Sequence, residues 1–195
     1  MSLRRLILIC LLIYGAYHYY SHREIRYGAG VLAPEEPLQS DTEAEPFDFK
    51  DHTIMPLNDF EITARVLSAS NYHTDRGAAL SPTDLALGWG PMSDETILDQ
   101  IDIRQSGRFY YWHVKSFPIP RKEIETHSAN MHLVPESSQI AEQLKDVRVG
   151  QLVSIKGYLI KATGQNGFVW KSSQTRHDTG NGACELIFVK SLRLS

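Results

Sequence analysis

Over residues 152–162 apolar and polar side chains alternate, with Val153, Ile155, Gly157 and Leu159 on one side and Ser154, Lys156 and Tyr158 on the other. A period of two belongs to a strand with one buried face. A glycine on the inward side of such a strand marks a bend or a close backbone approach, as small barrels require. The same alternation recurs at Phe60, Ile62, Ala64 and Val66, and again at Cys184, Leu186 and Phe188 in a closing strand over residues 184–194. Gly164-Gln165-Asn166-Gly167 reads as a hairpin turn, residues 168–175 as the returning strand, and residues 178–182 as a second turn. Residues 108–114 form an aromatic-rich strand, which Pro118 and Pro120 end.

Helices are fewer. Ile140, Ala141, Leu144 and Val147 follow Ser137 and Ser138 at helical spacing. Ser93-Asp94-Glu95 starts a second, short helix, and Ser81-Pro82-Thr83-Asp84 looks like a third start, with proline in the first turn after a serine cap. The expected fold class is β-rich α+β, a small bent sheet or partly open OB-like barrel with two or three short helices, preceded by one N-terminal transmembrane helix.

That helix is read from Arg4 and Arg5 followed by Leu6, Ile7, Leu8, Ile9, Cys10, Leu11, Leu12 and Ile13. Bulky Tyr17, His18, Tyr19 and Tyr20 replace the small residues of a cleavage site, so the segment reads as an uncleaved signal anchor. The two arginines hold the N-terminus in the cytoplasm and the tyrosines supply an outer interfacial belt. A single-pass inner-membrane protein with a periplasmic domain is the expected topology.

Charge divides the chain further. Residues 1–30 carry a net +3, residues 31–59 a net −7 and residues 60–195 a net +1. The organisation expected is an anchor over residues 1–22, an acidic, proline-containing linker over 31–56, and an extracytoplasmic β-rich domain over 57–195. The linker has few large aliphatics to offset its ordering entropy and is expected to extend by self-repulsion. Phe47 and Phe49 are its expected first contacts with the domain.

The run from Gly150 to Leu159, Gly-x-Leu-Val-x-Ile-x-Gly-Tyr-Leu, resembles the strand-and-hairpin half of small OB-type barrel domains of bacterial envelope proteins, a resemblance covering residues 146–195. Gly88-Trp89-Gly90-Pro91-Met92 and His127-Ser128-Ala129-Asn130-Met131-His132 resemble blocks of a bacterial membrane-anchored family. Neither resemblance implies an activity.

Several groups invite a chemical reading. His127 and His132 suit zinc in residue type, but a third ligand from His113, His177, Asp178 or Glu185 would have to arrive by folding. They read as polar loop histidines, and no metal or cofactor is expected. Cys184 has His127, His132 and His177 as candidate bases, yet it shares a face with Leu186 and Phe188 and reads as a core thiol. Ser172, Ser173, Arg176, His177 and Asp178 hold the residue types of a triad without a nucleophile elbow. No phosphate-binding glycine loop is present, so no nucleotide is expected. Arg108 with Phe109, Tyr110, Tyr111 and Trp112 has the composition of a stacking platform, but a net +1 and an acidic neighbour argue against nucleic acid.

The leading expectation is a membrane-anchored envelope protein whose domain binds another envelope protein or a cell-wall component through Trp89, Arg108, His127, Asn130, His132, Arg176 and Asp178. The alternative is an envelope hydrolase or metal-dependent enzyme using the His127/His132 loop with Arg176 and Asp178.

Overall fold

A computed structural model describes residues 3–165, 167–175 and 182–195, and the side chains of all of these except 17–22. The chain is α+β and β-rich, with a mixed sheet and a few short helices. After α1 (Leu3–His22) come β1 (Leu38–Ser40), β2 (Phe47–Phe49), β3 (His52–Asn71) and β4 (Thr83–Gly88). A 3₁₀ turn (Gly90–Ser93) leads to α2 (Glu95–Leu98), the β5 (Ile101–Ser106) and β6 (Phe109–Val114) hairpin, α3 (Arg121–Thr126) and β7 (Ser128–Pro135). The chain continues through α4 (Ser138–Lys145), β8 (Leu152–Gly164), β9 (Val169–Lys171) and β10 (Glu185–Leu194).

Five strands close on one another. β3 pairs antiparallel with β4, β4 with β7, β10 with β8, and β8 with β3, while β10 runs parallel to β7. The corner of the ring is Arg65, which pairs with Leu152 of β8 and with Gly88 of β4. There the 20-residue β3 passes from one partner to the other, helped by register shifts at Pro56/Asn58 and Val66/Ser68. Bulges of this kind supply the curvature that closure demands. Gly157 does the same in β8: a Cβ there would stand 1.9 Å from the Phe188 carbonyl oxygen. The inward glycine of the alternating run is therefore a close backbone approach.

Alternation sorts side chains into two layers. Phe60, Ile62, Ala64, Val66, Leu85, Leu87, Met131, Leu133, Val153, Ile155, Ile187 and Val189 fill one core, against which α4 lays Ile140 and Leu144. The opposite faces are covered in two places. Phe47, Phe49 and Trp170 pack with Val134, Leu186 and Phe188; the β5–β6 hairpin and Ile124 of α3 pack with Ala86 and Met92.

Several expectations change. Residues 81–84 do not start a helix: β4 begins at Thr83, and all six of its residues are buried between β3 and β7, so tertiary pairing overrides the local cap signal. Residues 128–132 are not a loop but the first part of buried β7, and α3 before them was not foreseen. The strand expected over 168–175 shortens to Val169–Lys171, and the turn expected at 178–182 lies, but for Gly182, outside the described residues. Asp94 caps α2 by accepting from Thr96 N–H, and Ser137 caps α4 by accepting from Ile140 N–H, as their sequences predict.

The acidic stretch is laid along the domain instead of extending from it. β1 and β2 pair with β3, and Phe47 and Phe49 each meet Phe188 edge-on at 5.0 Å. Two aromatic anchors and main-chain pairing overcome the self-repulsion read from its charge.

Ahead of it, residues 25–33 form a strap. Ile25 N–H donates to Val149 O, while Tyr27 and Gly28 N–H donate to Glu95 Oε2 at 2.9 and 3.0 Å. The N–H groups of Leu32 and Ala33 both reach Ser93 Oγ at 3.1 Å. Gly150 (φ 84°) lets the strap pass, since a Cβ would meet Ile25 O at 1.9 Å. The spanning helix expected at the N-terminus is unsupported: no helix among the described residues is long and apolar enough to cross a membrane. Leu6, Ile7, Leu8, Ile9, Leu11, Leu12 and Ile13 of α1 are nevertheless all exposed.

Candidate functional site

The registers of β4, β7 and β10 bring polar side chains together on the face away from the core inside the ring. Asp84 pairs with His132, Ala86 with Asn130, and Leu186 with His132. Even-numbered residues of these strands share that face, where Asp84 is 0% and His132 4% exposed. His132 Nδ1 lies 2.9 Å from Asp84 Oδ2, a close polar contact without the geometry of a proper hydrogen bond.

Arg108 completes the cluster from above. Gly107 (φ 57°) and Arg108 (φ 73°) form the two-residue turn of the β5–β6 hairpin, and positive φ at both positions is the form whose twist matches paired strands. Arginine pays for the left-handed backbone with its side-chain contacts. Nη1 donates to Asp84 Oδ1 at 2.8 Å and to Ser81 O at 2.9 Å; Nε and Nη2 hold Asp75 at 3.0 and 2.8 Å. The guanidinium also sits 3.8 Å from the centre of the Tyr72 ring.

Two ionisations shift in this cluster. Desolvation works against the Asp75 carboxylate, but the bonds from Arg108 and from Gly77 N–H outweigh it, and its pKa lies below the ordinary value. Burial, followed by the negative charge of Asp84, raises that of Tyr72. Trp170 leans over the cluster, its ring 4.7 Å from His132 and 5.5 Å from Arg108. Gly77 leaves room for it, because a Cβ there would stand 2.6 Å from Trp170 Cζ3.

Asn130 ties the turn to β10. Its Nδ2 donates to Arg108 O at 3.1 Å and approaches Cys184 Sγ at 3.9 Å, while Oδ1 accepts from Gln105 at 2.6 Å. Two cavities open beside these groups. One of about 390 Å³ is lined by Asp75, Arg108, His132, Phe168, Trp170 and Cys184 among others. The second, about 590 Å³, is walled by Trp89, Phe109, Tyr110, Tyr111, Trp112 and Phe117, with Asn130 and Cys184. Phe109 and Cys184 border both. Cys184, expected as a core thiol, is half-buried at this boundary.

The residues singled out from the sequence divide. Arg108, Asn130 and His132 converge on this site, and Trp89 borders the larger cavity. His127 stands apart at the C-cap of α3, with Nδ1 3.1 Å from Glu123 Oε2 and Nε2 3.2 Å from Glu36 Oε1. Glu36 also accepts from Trp89 Nε1 at 3.1 Å. Five residues of extended chain, roughly 16 Å, separate His127 from His132, so the two do not form one loop site. Arg176 and Asp178, with His177, lie outside the described residues. No cluster of three or more metal-ligating side chains occurs among the described residues. Ser172 serves the backbone, donating to Ser173 O and accepting from Leu186 N–H.

Asp75, Asp84, Tyr72 and Trp170 were not among the expected site residues. The local sequence around Asp84 predicts a helix start; only the pairing of β4 with β7 reveals its partner. The chain matches no protein-family model, no curated protein and no solved structure.

Proposed function

We propose that the chain is a cell-envelope binding module built on an OB-type barrel, held at the inner membrane by α1, that takes a cell-wall glycan in its paired cavities. The observation carrying this reading is where the cavities lie. OB-type barrels bind oligosaccharides and oligonucleotides on the face of their second and third strands, between the first-to-second and fourth-to-fifth strand loops. In the ring's chain order these strands are β4 and β7, and the segments are residues 72–82 and the one carrying β9. His132, Asp84, Asp75 and Trp170 belong to those elements.

Composition favours a glycan over a nucleic acid. Phe109 and Tyr111 offer exposed aromatic surface, while Asp75 and Asp84 engage the Arg108 guanidinium that a phosphate would otherwise need. The membrane part of the proposal draws on Arg4, Arg5 and the exposed apolar residues of α1.

Sedimentation of the full-length, detergent-solubilised protein with purified peptidoglycan sacculi tests the binding. Saturable co-sedimentation, weakened about tenfold by Trp170→Ala, is expected; protein remaining in the supernatant at every sacculus concentration overturns it. A phosphatase reporter fused after Ser195 should be active outside the cytoplasm, and activity confined to the cytoplasm refutes the placement.

A further inference from the structure

We infer that the cavity of about 390 Å³ seats the 2-acetamido group of an amino sugar, with His132 Nε2 accepting from its N–H. The inference rests on the glycan reading above and names the sugar that reading leaves open.

The polar groups behind the cavity are engaged with one another. Arg108 spends Nε, Nη1 and Nη2 on Asp75, Asp84 and Ser81 O, and Asp84 Oδ1 is taken by the same guanidinium. His132 differs. Its side chain is 5% exposed, and Nδ1 is sealed against Asp84 Oδ2 at 2.9 Å. Nε2 is not sealed, and no group among the described residues bonds it. An almost wholly buried imidazole on the cavity wall thus has one polar atom left for a ligand.

Asp84 decides what that atom can do. The tautomer follows from the neighbour of the other nitrogen: with a buried carboxylate beside Nδ1, the proton belongs there, and Nε2 of the neutral ring is an acceptor. An acceptor disfavours a carboxylate or phosphate and calls for an N–H or O–H. The other walls choose between these. Phe109, Phe168 and Trp170 line the cavity, and Trp170 stands 4.7 Å from the imidazole. A bare hydroxyl gains nothing from such rings, whereas the methyl of an acetamido group is buried against them. Arg76 lies 4.7 Å from the centre of the Phe168 ring, borders the same cavity and has no carboxylate partner among the described residues. Its N–H groups are available to the acetyl oxygen. One acetamido group thereby matches an acceptor, an apolar wall and a donor.

Isothermal titration of the full-length protein in detergent at pH 8 compares chitotetraose with cellotetraose, the same chain with a hydroxyl in place of each acetamido group. Chitotetraose should bind at least about tenfold more tightly, the order of one net hydrogen bond. Equal affinities overturn the inference without any variant. His132→Asn keeps a donor toward Asp84 but has no acceptor where Nε2 stands. In this variant, checked for folding by its melting temperature, chitotetraose should fall to the level of cellotetraose while cellotetraose hardly changes. A folded variant that keeps the wild-type preference also overturns the inference, since a merely structural histidine would not alter the ratio of the two sugars. Sacculus binding without preference for the acetamido chain leaves the glycan proposal standing and removes this one; a chain that binds neither sacculi nor chitotetraose removes both.

Discussion

Glu95 follows Arg26 by 69 residues in sequence and lies 2.7 Å from it in the fold. The same carboxylate also receives Tyr27 and Gly28 N–H and the Arg65 guanidinium, the last at 3.3 Å. The Gly28 bond leads the other donors in overcoming desolvation, and the pKa of Glu95 falls from 4.5 to about 2. A depressed carboxylate stabilises the fold fully above its unfolded value and loses that contribution as pH falls through its folded one. Wild-type stability should therefore fall between about pH 4.5 and 2. Glu95→Gln should melt lower than wild type at pH 7, and the gap should narrow across this window, as thermal scans at stepped pH will show.

The strap makes the point of truncation matter. Removal of residues 1–22 leaves Ile25, Arg26 and Tyr27 on the domain, and the product should melt within a few degrees of the full chain. Removal of residues 1–30 also takes the Arg26, Tyr27 and Gly28 donors from Glu95 and Arg26 from Asp99, leaving Arg65 on Glu95, and should melt clearly lower. Equal melting of the two truncations would show that the strap contributes nothing.

Tyr110 supplies an alkaline counterpart. Burial pushes its hydroxyl from 10.0 up to about 12, partly offset by the bond with Ser128. Between these values the unfolded chain ionises while the folded one does not, so stability drops as pH rises from 10 toward 12. Denaturant midpoints should decline over that range in wild type, and less steeply in Tyr110→Phe.

Two glycines should respond differently to alanine. At Gly157 the added Cβ meets backbone, the Phe188 carbonyl at 1.9 Å, and the substitution should destabilise by about 3 kcal/mol or more. At Gly77 it meets the far edge of the Trp170 ring, which can move aside. Gly77→Ala should keep most of its stability but shift the tryptophan fluorescence and weaken sacculus binding.

Much of the strand ring was legible because its strands carry a one-sided alternation: the inward series of β3 and β8 mark buried positions, and Gly157 marks a close backbone approach. β4 and β7 were not, because they are covered on both faces. Thr83-Asp84-Leu85-Ala86-Leu87-Gly88 has no exposed side to generate a polar period, and His132 and Asn130 looked like loop residues for the same reason. The site itself was half visible. Arg108, Asn130 and His132 could be named as polar groups among aromatics, but their partners Asp75, Asp84 and Trp170 come from elements far apart in sequence. The acidic stretch misled for an electrostatic reason: eight carboxylates suggest repulsion, whereas short strands and two phenylalanines decide where the chain lies.

The parallel pairing of β10 with β7 has a consequence for biogenesis. β10 enters between β7 and β8, so until residues 185–194 emerge from the ribosome both neighbours present open edges that invite pairing with other chains. The ring can close only when its last strand in chain order arrives, a contact pattern that folds slowly. A nonsense mutation a few codons before β10 should therefore yield an aggregating, protease-sensitive product rather than a partly folded one.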